Sequence, residues 1–111
     1  MFMDPALSII ANKCSLAFAS ALTLKGLIDL DLNKPKAALI SFRQALAIRY
    51  DVLDLYNELI GSSLNTISLS CTEMNELDLA EKYRWQAIKV RLNNRSHRIG
   101  NSYSNLASTL L

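Results

Sequence analysis

The side chains able to do chemistry are few and far apart in this 111-residue chain. The single histidine, His97, lies in a basic polar stretch over residues 93–98. No acid or nucleophile is placed to work with it, so it reads as a solvated residue rather than a general base. Two carboxylate pairs occur, Asp29/Asp31 and Asp51/Asp54. Two residues apart on a helix, the first pair points in different directions. The second pair reads as a helix cap, with Asp54 capping a helix from Leu55. Phosphate-cradling glycine loops and nucleophile elbows are absent from the sequence. Cys14 and Cys71 stand 57 residues apart with no CxxC and no Cys/His cluster, which excludes a zinc site. Both thiols sit in apolar, helix-like stretches and read as buried and reduced, although spacing alone leaves a bridge between them open. No catalytic, cofactor or metal site emerges, and the expectation is a non-enzyme.

Charge narrows the partners. The net charge of +2 is too mild to imply nucleic acid. Between Glu81 and Arg98 there are six basic residues and one acid. Aromatic residues do not alternate with them as a base-stacking platform requires. Tyr83 and Trp85 flank Arg84, but on a helix these three diverge by about 100° each. Tyr83 is expected in the core and Trp85 buried against a neighbouring hairpin. Nucleic acid is therefore not the expected partner, and the basic run reads as a solvated helix face with its loop. The stretch 15–24 is the longest early run without charge, too short for the ~20 residues of a membrane span. Asp4 and Lys13 do not fit a secretion signal. A cytoplasmic protein without a membrane segment is the expectation.

The elements that carry these residues are helices. The chain has 20 Leu and 12 Ala against 2 Val and 4 Thr, and only five Gly and Pro together. That composition favours helix over strand. Asn33 is a candidate N-cap, with Pro35 in the first turn where a missing N–H costs nothing. Asn75 is the equivalent cap, with Asp78 three residues on. Partner helices are expected over about 15–32 and 55–74. The segment 5–32 reads as one long helix or a broken pair. Ser96 is expected to cap a fifth helix containing Tyr103, Leu106, Ala107, Leu110 and Leu111.

These helices repeat. A shift of 42 aligns residues 33–50 with 75–92, with identities at Asn33/Asn75, Ala38/Ala80, Gln44/Gln86, Ala45/Ala87 and Arg49/Arg91. Upstream the same shift pairs Ser20 with Ser62, Leu22 with Leu64, Gly26 with Ser68 and Leu27 with Leu69. Ala38 and Ala45 lie two turns apart on one helix face, as do Ala80 and Ala87. Small residues where helices cross, alternating with large ones such as Phe42, Leu22 and Leu64, suit stacked helix hairpins.

The pattern Gly26…Ala38…Phe42…Ala45, then Ser68…Ala80…Ala87, then Tyr103-Ser104-Asn105-Leu106-Ala107 resembles the tetratricopeptide repeat. Its period of about 42 is similar to the longer variety in kinesin light chains and fungal nucleotide-binding receptor arrays, against a standard of about 34. Ser68 replaces the usual Gly or Ala, and Arg84 stands where Phe42 stands in the first copy. The resemblance implies an all-α solenoid of stacked antiparallel hairpins. Repeat 1 would span about 16–53, repeat 2 54–95, and residues 96–111 the first helix of an incomplete third. The sequence stops inside that helix, which suggests a fragment of a longer array.

What the resemblance implies for function is a groove lined by the first helix of each hairpin. It places Ser20, Thr23, Leu27 and Asp31 there, then Ser62, Asn65, Leu69 and Glu73, then Asn101, Ser104 and Ser108. Such a face could hydrogen-bond the backbone of a protein or peptide partner. Some relatives clamp chaperone-tail carboxylates with basic side chains. The corresponding Thr23, Leu27 and Thr66 here are uncharged, so that clamp is not expected. The alternative is self-association through an edge formed by Leu106, Leu110 and Leu111.

Overall fold

The computed structural model describes the backbone of residues 5–110 and the side chains of residues 9–94. It is all-helical, with four helices and no strand among the described residues. They are α1 (Pro5–Asp31), α2 (Pro35–Val52), α3 (Glu58–Glu73) and α4 (Leu77–Leu110). Helix α1 is a single element rather than a broken pair. Each helix packs on its neighbours in order: α1 on α2, α2 on α3, α3 on α4.

The two short turns share one construction. Asn33 and Asn75 both adopt positive φ, 60° and 62°. After α1, the Lys34 N–H donates to the Asp29 carbonyl (2.8 Å) and the Asn33 N–H to the Leu30 carbonyl (2.9 Å). After α3, Glu76 N–H donates to Cys71 (2.9 Å) and Asn75 N–H to Thr72 (3.0 Å). This pair of bonds satisfies the last carbonyls of a helix through a left-handed residue, a conformation asparagine tolerates better than most. Asn33 and Asn75 therefore terminate α1 and α3. They are not the N-caps of the following helices, as the sequence suggested. Lys34 holds the N-cap position of α2 without a side-chain cap bond, and Pro35 supplies its start. The two turns match bond for bond at the 42-residue offset.

The middle connection differs from expectation too. Helix α3 begins at Glu58, not Leu55, and its N-cap is Asn57, whose side-chain oxygen accepts from the Leu59 N–H at 2.9 Å. Asp54 instead accepts the Asn57 N–H through its carbonyl. Asn94 Nδ2 donates to the Tyr56 carbonyl at 2.7 Å and ties this loop to α4.

The turn expected near residues 93–98 is absent. Helix α4 runs on for 34 residues, and Ser96 lies within it rather than capping a fifth helix. No proline interrupts this stretch and Gly100 alone weakens it. A serine N-cap signal cannot stop a helix whose backbone bonds are already continuous.

The core follows the small–large pattern. Ala38, Phe42, Ile67, Cys71 and Ala80 form one buried cluster, joining α2, α3 and α4. Ile60, Leu64 and Ala87 form a second, with Leu46, Leu53, Tyr83 and Val90 packed against it. Burying Phe42 alone contributes about 2–3 kcal/mol. The close approach of α1 to α2 rests on Gly26, where a Cβ would lie 2.4 Å from the Phe42 ring. At the equivalent crossing in the second hairpin, Ser68 is buried and its Oγ donates to the Ala80 carbonyl at 2.8 Å. The serine fits where Gly26 has an aromatic ring against it because Arg84, which stands in the place of Phe42, is exposed.

Between the hairpins, Arg49 is 4% exposed and its Nη1 donates to Ser63 Oγ at 2.6 Å and the Leu59 carbonyl at 3.3 Å. Burial pushes its guanidinium pKa down. The Ser63 and Leu59 bonds offset part of the cost of burying that charge.

Candidate protein-binding face

The expected groove residues fall into two lines, each on one helix. Ser20, Thr23, Leu27 and Asp31 follow spacings of three, four and four along α1, and Ser62, Asn65, Leu69 and Glu73 follow the same spacings along α3. That periodicity keeps each set on one helical face. All eight are exposed or half-buried, the apolar Leu27 and Leu69 among them. A carboxylate closes each line at its helix C-terminus.

The polar members differ in how free they are. Thr23 Oγ1 donates back to the Ala19 carbonyl at 2.9 Å, so its hydrogen is spent within its own helix. Thr66, beside the second line, does the same to Ser63 at 2.8 Å. Ser20, Ser62 and Asn65 bond to no other described side chain, which leaves their donors and acceptors for an outside group. No hydrogen bond or ion pair among the described residues joins the α1 line to the α3 line, so each stands by itself. Asn101, Ser104 and Ser108 lie in the part of α4 whose side chains are outside the described residues, as do His97 and the Leu106, Leu110 and Leu111 edge.

Two hollows lie elsewhere. A groove of about 390 Å³ runs along α4, lined by Leu77, Glu81, Arg84, Trp85 and Ile88 together with Thr72 and the buried Ala80. Trp85 is 57% exposed in it, not buried against a neighbouring hairpin as expected, because no described helix packs on that flank of α4. Tyr83, one position away, is half-buried against both clusters, as its spacing suggested. A second hollow of about 570 Å³ lies beside the first turn, lined by Asn33, Lys34, Pro35 and Met74. The 42-residue offset could have pointed to the α4 groove, since Glu81 and Arg84 replace the core residues Leu39 and Phe42.

The cysteines also separate. Cys71 is buried and its thiol pKa is raised, first by burial and then by the Glu76 charge, against an opposing pull from Arg43. Cys14 is exposed, contrary to the expectation that both are interior. Both are free thiols. No group of three or more potential metal ligands occurs among the described residues, and none of their helices is long and apolar enough to cross a membrane. Comparison with models of known protein families and with curated proteins finds no match to this chain.

Proposed function

We propose that this chain is a protein–protein interaction module, a short solenoid of tetratricopeptide-like hairpins that binds an extended protein segment. The repeat reading is supported by the two asparagine turns with identical bonding at an offset of 42. It is supported as well by Ala38, Ala45, Ala80 and Ala87, all buried at the crossings where the repeat requires small side chains. The observation that carries the binding reading is the paired lines on α1 and α3. Equivalent positions in both hairpins present an exposed leucine between polar side chains, of which Ser20, Ser62 and Asn65 are unbonded and Thr23 is not, and a terminal carboxylate. A leucine gives a peptide side chain something apolar to rest on, while Asn65 and the serines offer partners to its backbone. Binding through this face needs no metal, cofactor or catalytic group.

The test is selection of peptides from a displayed random library on the full chain. Selected peptides are expected to lose at least tenfold in affinity to the double variant Asn65→Ala/Leu69→Ala, with its melting temperature close to that of the parent. Failure to select any peptide, or peptides indifferent to the double variant, counts against this face.

A further inference from the structure

The interface between the hairpins shows what each end of the described structure lacks. Helix α3 lies on α2 through Ile60, which packs with Leu46 and Leu53, through Ser63, which receives Arg49, and through Ile67 and Cys71, which meet Phe42. Shifted back by 42, the α3 contact positions become Phe18, Ala21, Lys25 and Asp29 on α1, where Phe18 is 60% exposed against 0% for Ile60. Shifted forward by 42, Leu39, Phe42, Leu46 and Arg49 become Glu81, Arg84, Ile88 and Arg91 on α4, all exposed, while Leu53 becomes Arg95, whose side chain lies outside the described residues. The segment that a turn at Ser96 would have folded over this flank runs on as part of α4. Among the described residues, one molecule thus carries two unmatched halves of an interface that it already makes once internally.

We propose that copies of this chain stack end to end, α1 of one copy lying on the α4 groove of the next as α3 lies on α2. The substitutions between the internal and terminal versions are complementary. Where the interior cluster brings Leu39 and Phe42 to Ile67 and Cys71, the ends bring Glu81 and Arg84 to Lys25 and Asp29. Lys25 and Asp29 already hold each other at 3.0 Å on α1, and the opposite pair on α4 completes a four-charge network. Apolar contacts flank it: Phe18 meets Ile88, as Ile60 meets Leu46. Leu32 meets Leu77, both exposed, as Met74 meets the start of α2. Arg91 takes the place of Arg49, directed at the carbonyl of Ala17 in the second copy. The contact joins two different faces, so it does not close at a dimer and growth is open-ended.

This inference rests on the repeat reading but uses a different flank of α1 from Ser20, Leu27 and Asp31, so assembly and peptide binding can fail independently. The experiment is sedimentation of the full chain with two variants, Phe18→Glu and Ile88→Glu, each checked for unchanged helicity. The parent is expected to increase in mass with concentration beyond a dimer and to lose mass at high salt. Its single tryptophan, Trp85, at the groove rim, is expected to shift its emission to the blue on assembly. Each variant alone is expected to lose every species above monomer. Mixed together they are expected to form a one-to-one dimer and nothing larger, because each supplies the face the other has lost. A parent that stays monomeric at all concentrations overturns the proposal. So does a variant that still assembles alone, which would mean like faces meet, or a mixture that gives no dimer.

Discussion

Helices α1 and α3 occupy equivalent places in the two hairpins, yet they live in different environments. Eight of the sixteen residues of α3 are buried, while among the described side chains of α1 only Ala19 and Gly26 are. The difference does not come from a change of local pattern, since Ser20/Ser62, Leu22/Leu64 and Leu27/Leu69 all match. It comes from position: α3 is held between α2 and α4, and α1 has a neighbour on one side. A residue's burial in a stacked structure depends on which neighbours flank its helix as well as on its own helix.

Substitutions at equivalent sites put that comparison under strain. The largest effect is expected at Phe42, whose truncation to alanine opens a cavity among α1, α2 and α3 and costs about 3–5 kcal/mol. Its counterpart Arg84→Ala, on the exposed flank of α4, is expected to change stability by less than about 0.5 kcal/mol. Chemical denaturation of both variants measures the contrast, and similar losses would mean that the α4 flank is part of the core. Next come the glycines. Gly26→Val forces a branched side chain into the Phe42 ring and is expected to destabilise by about 2 kcal/mol. At Gly61 a new Cβ meets nothing closer than 3.4 Å, the flexible Arg91 stem. Gly61→Ala is therefore expected to be neutral or to stabilise by up to about 1 kcal/mol through helix propensity. The first hairpin already carries alanine at the equivalent position, Ala19. A Gly61→Ala variant that melts far below the parent would show a crossing tighter than this geometry. The smallest perturbation is a thiol label at neutral pH. Cys14 is expected to react in the folded protein, and Cys71, buried and with its thiolate disfavoured, only after unfolding. Equal labelling of both, followed by mass spectrometry, would contradict the enclosure of α3.

Much of the helical architecture was legible in the sequence. Leucine and alanine in abundance, the 42-residue offset and the alanines two turns apart led to packed helix hairpins, and Ala38, Phe42 and Ala80 are in the core where expected. The asparagines were legible as punctuation but not in their role, since asparagine both caps helix starts and tolerates the left-handed turn. Only the backbone bonds to Asp29 and Cys71 distinguish the two. Ser96 offered a start signal that the continuous α4 overrides. Cys14 and Trp85 were expected inside because their segments are apolar, yet both are exposed on flanks where no described helix packs, which no local pattern records. The eight described groove positions came from the family resemblance, and the structure leaves them exposed or half-buried. The α4 groove was missed although the offset set Arg84 against Phe42, because that departure reads as a weaker repeat match until the flank is known to be uncovered.

Arg49 has a consequence of a different kind. Apolar helix faces slide past each other with little change in energy, because one leucine is much like the next. A buried guanidinium with a bond to Ser63 and another to the Leu59 carbonyl has one berth. Moving α3 by a single turn, about 5.4 Å, would strand it without partners. The residue thus works as an indexing pin between the hairpins. It turns an adhesive surface into a joint with a single setting, and with the packing of Phe42 on Ile67 and Cys71 it fixes the spacing of everything mounted on α3 relative to α2.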